Sequence, residues 1–303
     1  MRKALLTAAV AVATLAASAQ VVEVQTIAQV PVASGVEVNI SRISPDGTFA
    51  IVSNNADNSL YRVDFSTGNV KKVSENGSAL ELTFTPAGDH IVFKSATVKE
   101  NNLRYYNVNS VELASGKQVE LSKPARHCAA FSISDAGVLT LNDNGRVSSR
   151  SAAGAKVKTA GKAVASINRG HLEVTRPGGK PAFIDPQGRG SYLWPSVSPD
   201  GTKVAYYLSG HGCYVCDLDG SNARALGYLH APCWLGNDVV VGCRDIDNGT
   251  FITESSIVAC TLDGREQTLT PASVIGINPS ASADGKTISF STPTGELYLI
   301  QLK

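Results

Sequence analysis

The chain has 303 residues, of which 43% are hydrophobic and 17% are charged, and this composition excludes a chain that is disordered throughout because it can bury a large core. Lys and Arg number 27 and Asp and Glu number 26, so the chain is nearly neutral. This balance gives no electrostatic reason to expect nucleic acid or anionic lipid as a partner.

The first nineteen residues have the pattern of a secretory signal. Residues 1–3 include Arg2 and Lys3, residues 4–17 are almost all apolar, and Ala17-Ser18-Ala19 has the small-x-small form of a cleavage site. The apolar run is shorter than the roughly 20 residues of a membrane span. We therefore predict a signal peptide over 1–19, cut after Ala19, and a periplasmic or secreted mature chain without a membrane span. The mature chain has 25 basic and 26 acidic residues, a net charge of −1.

One unit recurs along the rest of the chain, with an apolar strand, a Gly-containing turn, two more strands, a second such turn and a fourth strand. The first turn occurs at residues 44–47, 85–88, 134–137, 198–201 and 282–285, with a weaker copy at 235–238. The second turn occurs at Gly68, Gly116, Gly220 and Gly264. Because Gly adopts the positive φ of tight hairpins, the unit is predicted to be a four-stranded antiparallel sheet.

The clearest copy begins with Ser198-Pro199-Asp200-Gly201 and ends with Asp219-Gly220. This pattern resembles the WD40-like repeat (PD40-type) of TolB-like β-propellers, and it extends loosely over most of residues 36–303. The resemblance implies an exported bacterial protein that is all-β, a β-propeller of four-stranded antiparallel blades.

The spacing of the turns predicts the number of blades. The distance from Gly47 to Gly88 is 41 residues, whereas that from Gly137 to Gly201 is 64 and contains six candidate strands, one of them at 155–159. We expect a shortened extra blade at about 160–188, which gives seven blades with one degenerate, and a mean length near the roughly 40–45 residues of such blades. Six blades with an insertion is the alternative.

The two ends of the chain are expected to meet. Residues 296–302 read as a third strand with no fourth strand after them. Residues 20–35 are predicted to supply the closing strand of this last blade, which would remove an exposed sheet edge. The predicted organisation is therefore a signal peptide at 1–19 and a single propeller domain at 20–303.

The sequence contains no recognised catalytic signature, so we expect no enzyme activity and no cofactor. Six residues could supply soft or imidazole ligands for zinc, namely His211, Cys213, Cys216, His230, Cys233 and Cys243. Cys213 and Cys216 are three apart on a predicted strand and point to opposite faces, so a zinc site is not favoured. A disulfide such as Cys213 with Cys243 remains open.

Loops of a propeller gather on two faces, and one face collects aromatic, basic and histidine side chains. This face is formed by the loops between second and third strands and by the loops between successive repeats. The candidate binding residues lie in these loops, namely Arg126, His127, Tyr192, Trp194, His211, His230, Arg244, Asp245 and Asp247. Such a mixture suits a polar ligand or a protein partner.

These expectations lead to a functional hypothesis. The chain is predicted to be a non-catalytic binding or scaffold protein of the cell envelope, monomeric, with an envelope protein or glycan as partner and no nucleic acid. The alternative is a carbohydrate-active propeller, either a glycan binder or a protein like the polysaccharide lyases. A regulatory propeller separated from its peptidase domain is a third possibility.

Overall fold

The computed structural model describes residues 20–33, 35–54, 56–126, 130–134, 136–143, 146–158 and 161–303. All regular secondary structure in these ranges is β, which confirms the predicted all-β class. Within the same ranges, no helix is long and apolar enough to cross a bilayer. The predicted signal peptide at 1–19 lies outside the described residues.

The strands are numbered in chain order. They are β1 Val24–Val30, β2 Val38–Ile43, β3 Phe49–Asn54, β4 Leu60–Asp64, β5 Val70–Ser74, β6 Gly77–Phe84, β7 His90–Val98, β8 Arg104–Glu112, β9 Gln118–Glu120, β10 Ala130–Ile133, β11 Val138–Asp143, β12 Arg146–Ser151, β13 Val164–Asn168, β14 His171–Thr175, β15 Pro181–Phe183, β16 Tyr192–Val197, β17 Lys203–Leu208, β18 Gly212–Asp217, β19 Arg224–Gly227, β20 His230–Leu235, β21 Val239–Asp247, β22 Ile252–Thr261, β23 Glu266–Thr268, β24 Ile277–Ala281, β25 Thr287–Ser291 and β26 Leu297–Leu302.

The described strands form antiparallel sheets that we number in chain order. Sheets I (β2–β5), II (β6–β9), V (β16–β19) and VI (β20–β23) have four strands each, and sheet VII joins β24–β26 to β1. Sheets III (β10–β12) and IV (β13–β15) have three strands each. The prediction of four-stranded antiparallel blades is therefore confirmed for five sheets, and both three-stranded sheets lie in the part of the chain where an irregular blade was expected. The strand predicted at 155–159 is reduced, in the described residues, to a single bridge between Arg150 and Lys156.

The sheets follow one another around a ring. The first strand of each sheet contacts that of the next, from β2 through β6, β10, β13, β16, β20 and β24, and β24 contacts β2 again. This arrangement is a β-propeller, as predicted. The structure has six blades, with sheets III and IV together forming one interrupted blade over residues 130–183. The prediction of seven blades is therefore wrong, and the alternative of six blades with an insertion is confirmed.

The core lies between neighbouring sheets, because strands such as β3 are buried on both faces. Ile51 packs into an apolar cluster shared with sheet II, whereas Ala50 and Val52 pack into a cluster shared with sheet VII. Successive side chains of a strand point to opposite faces, so one strand serves two interfaces. Full burial of each large aliphatic side chain stabilises the fold by about 1.5–3 kcal/mol.

The recurring Ser-Pro-Asp-Gly turns hold the first hairpin of a sheet through their own side chains. In sheet I, Ser44 Oγ donates to Asp46 Oδ1 at 2.6 Å, and Gly47 has φ of 68°. Sheet V repeats this contact between Ser198 and Asp200, also at 2.6 Å. The hydroxyl and carboxylate replace backbone partners that the turn lacks, which is why these residue types recur.

The ring closes through the first strand. β1 pairs antiparallel with β26, with Ile27 opposite Ile300 and Val30 opposite Leu297. The chain around residues 24–30 therefore completes a sheet whose other strands come from residues 277–302.

Candidate functional site

The candidate site lies on the loop face, which we define as the end of the ring that carries the β17–β18 and β21–β22 turns and the connections between successive sheets. It is built by sheets V and VI. The connection from β19 to β20 brings Tyr228 to this face, and the strand starts of β16 and β20 bring Trp194 and His230.

Bulges at x-Pro pairs shape the first strands of these sheets. Trp194, Ala231 and Asn278 have φ of 48°, 46° and 52°, and each precedes a proline at a break in the pairing of β16, β20 or β24. Proline lacks the N–H that the ladder needs, so the strand bulges and its side chains are re-aimed. In β16 the bulge carries Trp194.

An aromatic cluster spans the two sheets at this point. The Trp194 ring lies 5.4 Å from the Tyr207 ring and 5.7 Å from the His230 ring, measured between centroids. Tyr207 and His230 meet edge to face at 4.6 Å. Gly242 stands behind His230, where an added Cβ would lie 3.0 Å from the His230 carbonyl oxygen, so glycine permits the close approach of β21.

Polar contacts hold the His230 ring from both sides. The Tyr207 hydroxyl lies 2.7 Å from Nε2, and Oδ1 of Asp245 lies 2.5 Å from Nδ1. The second contact is close but is not a well-directed hydrogen bond, because Asp245 Oδ1 has no hydrogen-bond partner among the described residues. The ring orientation is therefore fixed by groups from two sheets.

The electrostatics of the cluster favour binding over nucleophilic chemistry. Burial raises the pKa of the Tyr207 hydroxyl, and the nearby Asp245 carboxylate raises it further. Tyr207 therefore stays protonated at neutral pH. A protonated phenol can donate a hydrogen bond, but it is not an activated nucleophile.

A cavity of about 230 Å³ opens beside the cluster. Tyr228, His230, Cys243, Arg244 and Asp245 line it. Arg244 donates to Oε2 of Glu266 at 2.8 Å, and Tyr228 is 56% exposed. The cavity therefore combines an aromatic wall with a paired cation.

The structure brings together Trp194, His230, Arg244 and Asp245 among the predicted binding residues. His211 lies close by, in the turn whose Gly210 carbonyl oxygen is 3.4 Å from the Tyr228 hydroxyl.

Other predicted residues lie outside this cluster. Tyr192 is a core residue whose hydroxyl donates to the Gly188 carbonyl, so its assignment to a binding surface is wrong. Arg126 contacts the Arg104 carbonyl on sheet II, Asp247 accepts from Gly249 at a hairpin tip, and His127 lies outside the described residues. Sequence reasoning missed Tyr207, because it stands in an apolar strand with no signal of its own.

The cysteines of the candidate zinc set are separate. Cys213 and Cys216 belong to different apolar clusters on opposite faces of β18, and Cys243 belongs to a third. The five described cysteines are free thiols, so Cys213 and Cys243 do not form a disulfide. No group of three His, Cys, Asp or Glu side chains among the described residues is arranged to hold a metal.

We expect the described thiols to be inert in the folded chain. Burial raises the pKa of Cys213 from 9.0 to about 12, so the thiolate is absent at neutral pH. In a Cys128→Ser background, a chromogenic thiol reagent should report reaction only after unfolding. Rapid reaction of the native thiols would contradict the burial.

The same pKa shift makes stability depend on pH. The contribution of Cys213 to the free energy of unfolding is complete below pH 9 and falls as the pH rises towards 12. In the Cys213→Ala variant, the decrease of the free energy of unfolding with pH in this range should be smaller by up to about 1.4 kcal/mol per pH unit.

A second depression lies at the opposite ends of the strands. It has a volume of about 400 Å³ and is lined by Phe49 of β3 and by residues of three Gly-containing turns, namely Pro45, Asp46, Pro86, Ala87, Gly88, Ala283 and Asp284. Its carboxylates already accept hydrogen bonds within their own turns, as Asp46 does from Ser44 and Asp284 from Ser282. This depression is therefore the weaker candidate.

Comparison with known proteins supports the fold. No protein-family model matches this chain, and no curated protein matches its sequence. The chain is similar to the solved structure titled "Structure of U3-55K", a WD40 β-propeller, with a TM-score of 0.62 over 91% of this chain and 98% of that chain. The two sequences are 11% identical, so the similarity concerns the fold alone.

Proposed function

We propose that this chain is a non-catalytic binding protein of the cell envelope that holds a protein partner against its loop face. The observation that carries this proposal is the oriented cluster of Trp194, Tyr207, His230 and Asp245 beside an open cavity. The β-propeller is commonly a scaffold for protein interactions, which agrees with this use of the face.

The chemistry of the face suits a protein partner. Aromatic and Arg side chains dominate the energetic centres of protein interfaces, and Tyr228 and Arg244 lie beside the cluster. The β21–β22 hairpin adds exposed apolar side chains at its tip, with Phe251 71% exposed. A partner could bury these groups while the fixed His230 ring loses little entropy on binding.

Affinity capture tests this proposal. The tagged chain 20–303 is incubated with an envelope extract of its own host, alone or carrying Trp194→Ala with Tyr228→Ser. We expect one specific protein to be captured by the unchanged chain and lost with the double variant. The matched control is Pro86→Ser with Asp284→Asn in the opposite depression, which should leave capture unchanged.

The outcomes separate the two faces. Loss of capture with the control pair alone would move the site to the depression around Pro86. Capture that persists with both the loop-face double variant and the control double variant would show that neither face binds the partner. Because Trp194 is half-buried, thermal unfolding of each variant is compared with the unchanged chain, and Tyr228→Ser alone, at an exposed position, gives a reading free of folding effects.

Glycan binding is the second candidate. It is favoured by the rings of Tyr228 and His230, which line the cavity together with Arg244 and Asp245. Aromatic faces stack on sugar rings, and a carboxylate with a guanidinium can bind hydroxyl groups. Retention of the chain on immobilised envelope polysaccharide, abolished by Trp194→Ala with Tyr228→Ser, would favour this candidate over a protein.

Three finer assignments belong to the same proposal. The Ser-Pro-Asp-Gly turns with positive-φ glycines support a TolB-like, PD40-type repeat. The pattern of residues 1–19 supports export to the periplasm or beyond, and we take the mature chain 20–303 as one monomeric domain.

A further inference from the structure

Basic residues are concentrated in one part of this nearly neutral chain. Residues 146–189 contain nine Lys and Arg but two Asp and Glu, whereas the remaining sequence contains eighteen Lys and Arg and twenty-four Asp and Glu. This segment includes β12 and all of sheet IV. The net charge of the whole chain is therefore near zero, although this segment has a strong local excess of positive charge.

Most of these basic side chains face solvent. Seven are exposed, namely Arg146, Lys156, Lys158, Arg169, Arg176, Lys180 and Arg189. None of the seven forms a salt bridge among the described residues, although Arg176 lies near enough to Asp219 to lower the pKa of that carboxyl, after the hydrogen bonds from Ser221. The two acidic residues of the segment do not balance them, because Glu173 is buried and Asp185 pairs with His171 at 2.6 Å.

Four of these cations lie in the turns and the connection at the two ends of β15, the strand that carries an exposed aromatic ring. Phe183 is 55% exposed on the outer strand β15, and one face of its ring stacks on His171 at 4.6 Å. Arg176 and Lys180 flank the turn that leads into β15. Arg169 lies in the β13–β14 turn and Arg189 in the connection to β16, and these two segments are neighbours, because a Cβ added at Gly170 would lie 3.9 Å from the Gly190 carbonyl oxygen.

The backbone of β15 is also open on its outer side. Sheet IV ends at β15, whereas five other sheets have a fourth strand at this position. Ile184 N–H donates to the Leu172 carbonyl, so the alternation of antiparallel pairing turns the N–H and C=O of Phe183 away from β14. No hydrogen bond to either group occurs within the described residues.

We propose that the outer edge of sheet IV binds an acidic, extended polypeptide segment that carries a large apolar side chain. Its carboxylates would face the four cations, its apolar side chain would cover the free face of Phe183, and its backbone would pair with the Phe183 N–H and C=O as a short fourth strand. Pro181 limits this pairing to a few residues, so side chains supply most of the affinity.

The same features favour a polypeptide over other polyanions. Nucleic acids and acidic polysaccharides match the positive charge, but they lack peptide groups for a strand edge and an aliphatic side chain for the exposed Phe183 ring. An extended polypeptide with acidic and apolar side chains matches the positive charge, the open strand edge and the exposed Phe183 ring, as in protein interfaces with an apolar centre and a charged rim.

A defined probe tests the proposal with the full chain 20–303. The probe is a short fluorescein-labelled peptide in which glutamates flank a central leucine pair, and its Kd is measured by fluorescence anisotropy. We expect Arg176→Glu with Lys180→Glu to weaken binding by about tenfold or more, because two charges reverse at the rim. Lys117→Glu with Arg224→Glu, exposed residues of sheets II and V, makes the same change in net charge and should leave Kd nearly unchanged.

Further comparisons distinguish the partner class. Phe183→Ser, or serines in place of the leucines of the probe, should each weaken binding severalfold. Equal weakening by the control pair would overturn the assignment of the edge. If polygalacturonate or a single-stranded oligonucleotide of equal charge displaces the probe completely, and the serine probe binds as well as the leucine probe, the surface is a general polyanion site and the proposal is wrong.

Discussion

A chain that begins at residue 31 should fail to fold cooperatively, because it lacks the strand that closes the ring. Without β1 the backbone groups of β26 are exposed along a full strand edge, which promotes association of chains. Buried contacts of Ile27 and Val30 with sheet VII and its neighbours are lost as well. We expect no single unfolding transition in urea and a large soluble aggregate by size exclusion.

Point substitutions in β1 make the same test without truncation. Ile27→Asp places a carboxylate in the apolar interface, and we expect it to lower the free energy of unfolding by about 4 kcal/mol or more. Gln29→Asp is the matched control, because Gln29 is exposed on the same strand, and its effect should stay within about 0.5 kcal/mol. Equal stability of the two variants, or a truncated chain that unfolds like the complete one, would show that β1 does not close the ring.

Tyr206→Ala should cost about 3–5 kcal/mol of stability, the second largest effect that we predict. Tyr206 is fully buried between sheets IV and V, where its ring lies 5.5 Å from Tyr192 and its hydroxyl donates to Oε1 of Gln187 at 2.6 Å. Removal of the ring leaves a cavity that the two sheets cannot fill without moving. Urea unfolding followed by circular dichroism gives the measurement.

A conservative variant separates packing from hydrogen bonding at this position. Tyr206→Phe keeps the ring and should cost about 1–3 kcal/mol, mainly because the Gln187 amide oxygen loses its donor. Tyr228→Ala, at an exposed ring of the loop face, should have almost no effect on stability. If Tyr206→Ala is as mild as Tyr228→Ala, sheet IV is not packed on sheet V and its place in the ring must be revised.

Part of the candidate site could be predicted from the sequence. His230, Arg244 and Asp245 were assigned to the loop face because turn spacing places strand ends there. The same reasoning placed Tyr192 at that face, but its ring turns inward towards Tyr206. Trp194, two residues later, packs instead against the cluster between sheets V and VI, at the bulge before Pro195, and a bulge breaks the simple alternation on which the prediction depended.

The charge of the chain gives a second example. The total is nearly zero, and nucleic acid and anionic lipid were not expected as partners on that ground, although residues 146 to 189 carry an excess of basic residues. A net charge averages over the molecule, whereas a partner meets one surface. The pairing of Asp185 with His171 and the burial of Glu173 leave that surface uncompensated.

The sequence by itself determined the all-β class, the Gly turns and the repeated hairpins, because these depend on φ preferences and on alternation within a few residues. Only the tertiary structure decided which sheets lack a fourth strand and which side chains meet at the site. Tyr207, His230 and Asp245 come from three strands of two sheets, and contacts between distant segments depend on how the sheets pack and where their strands bulge. No local pattern encodes that packing.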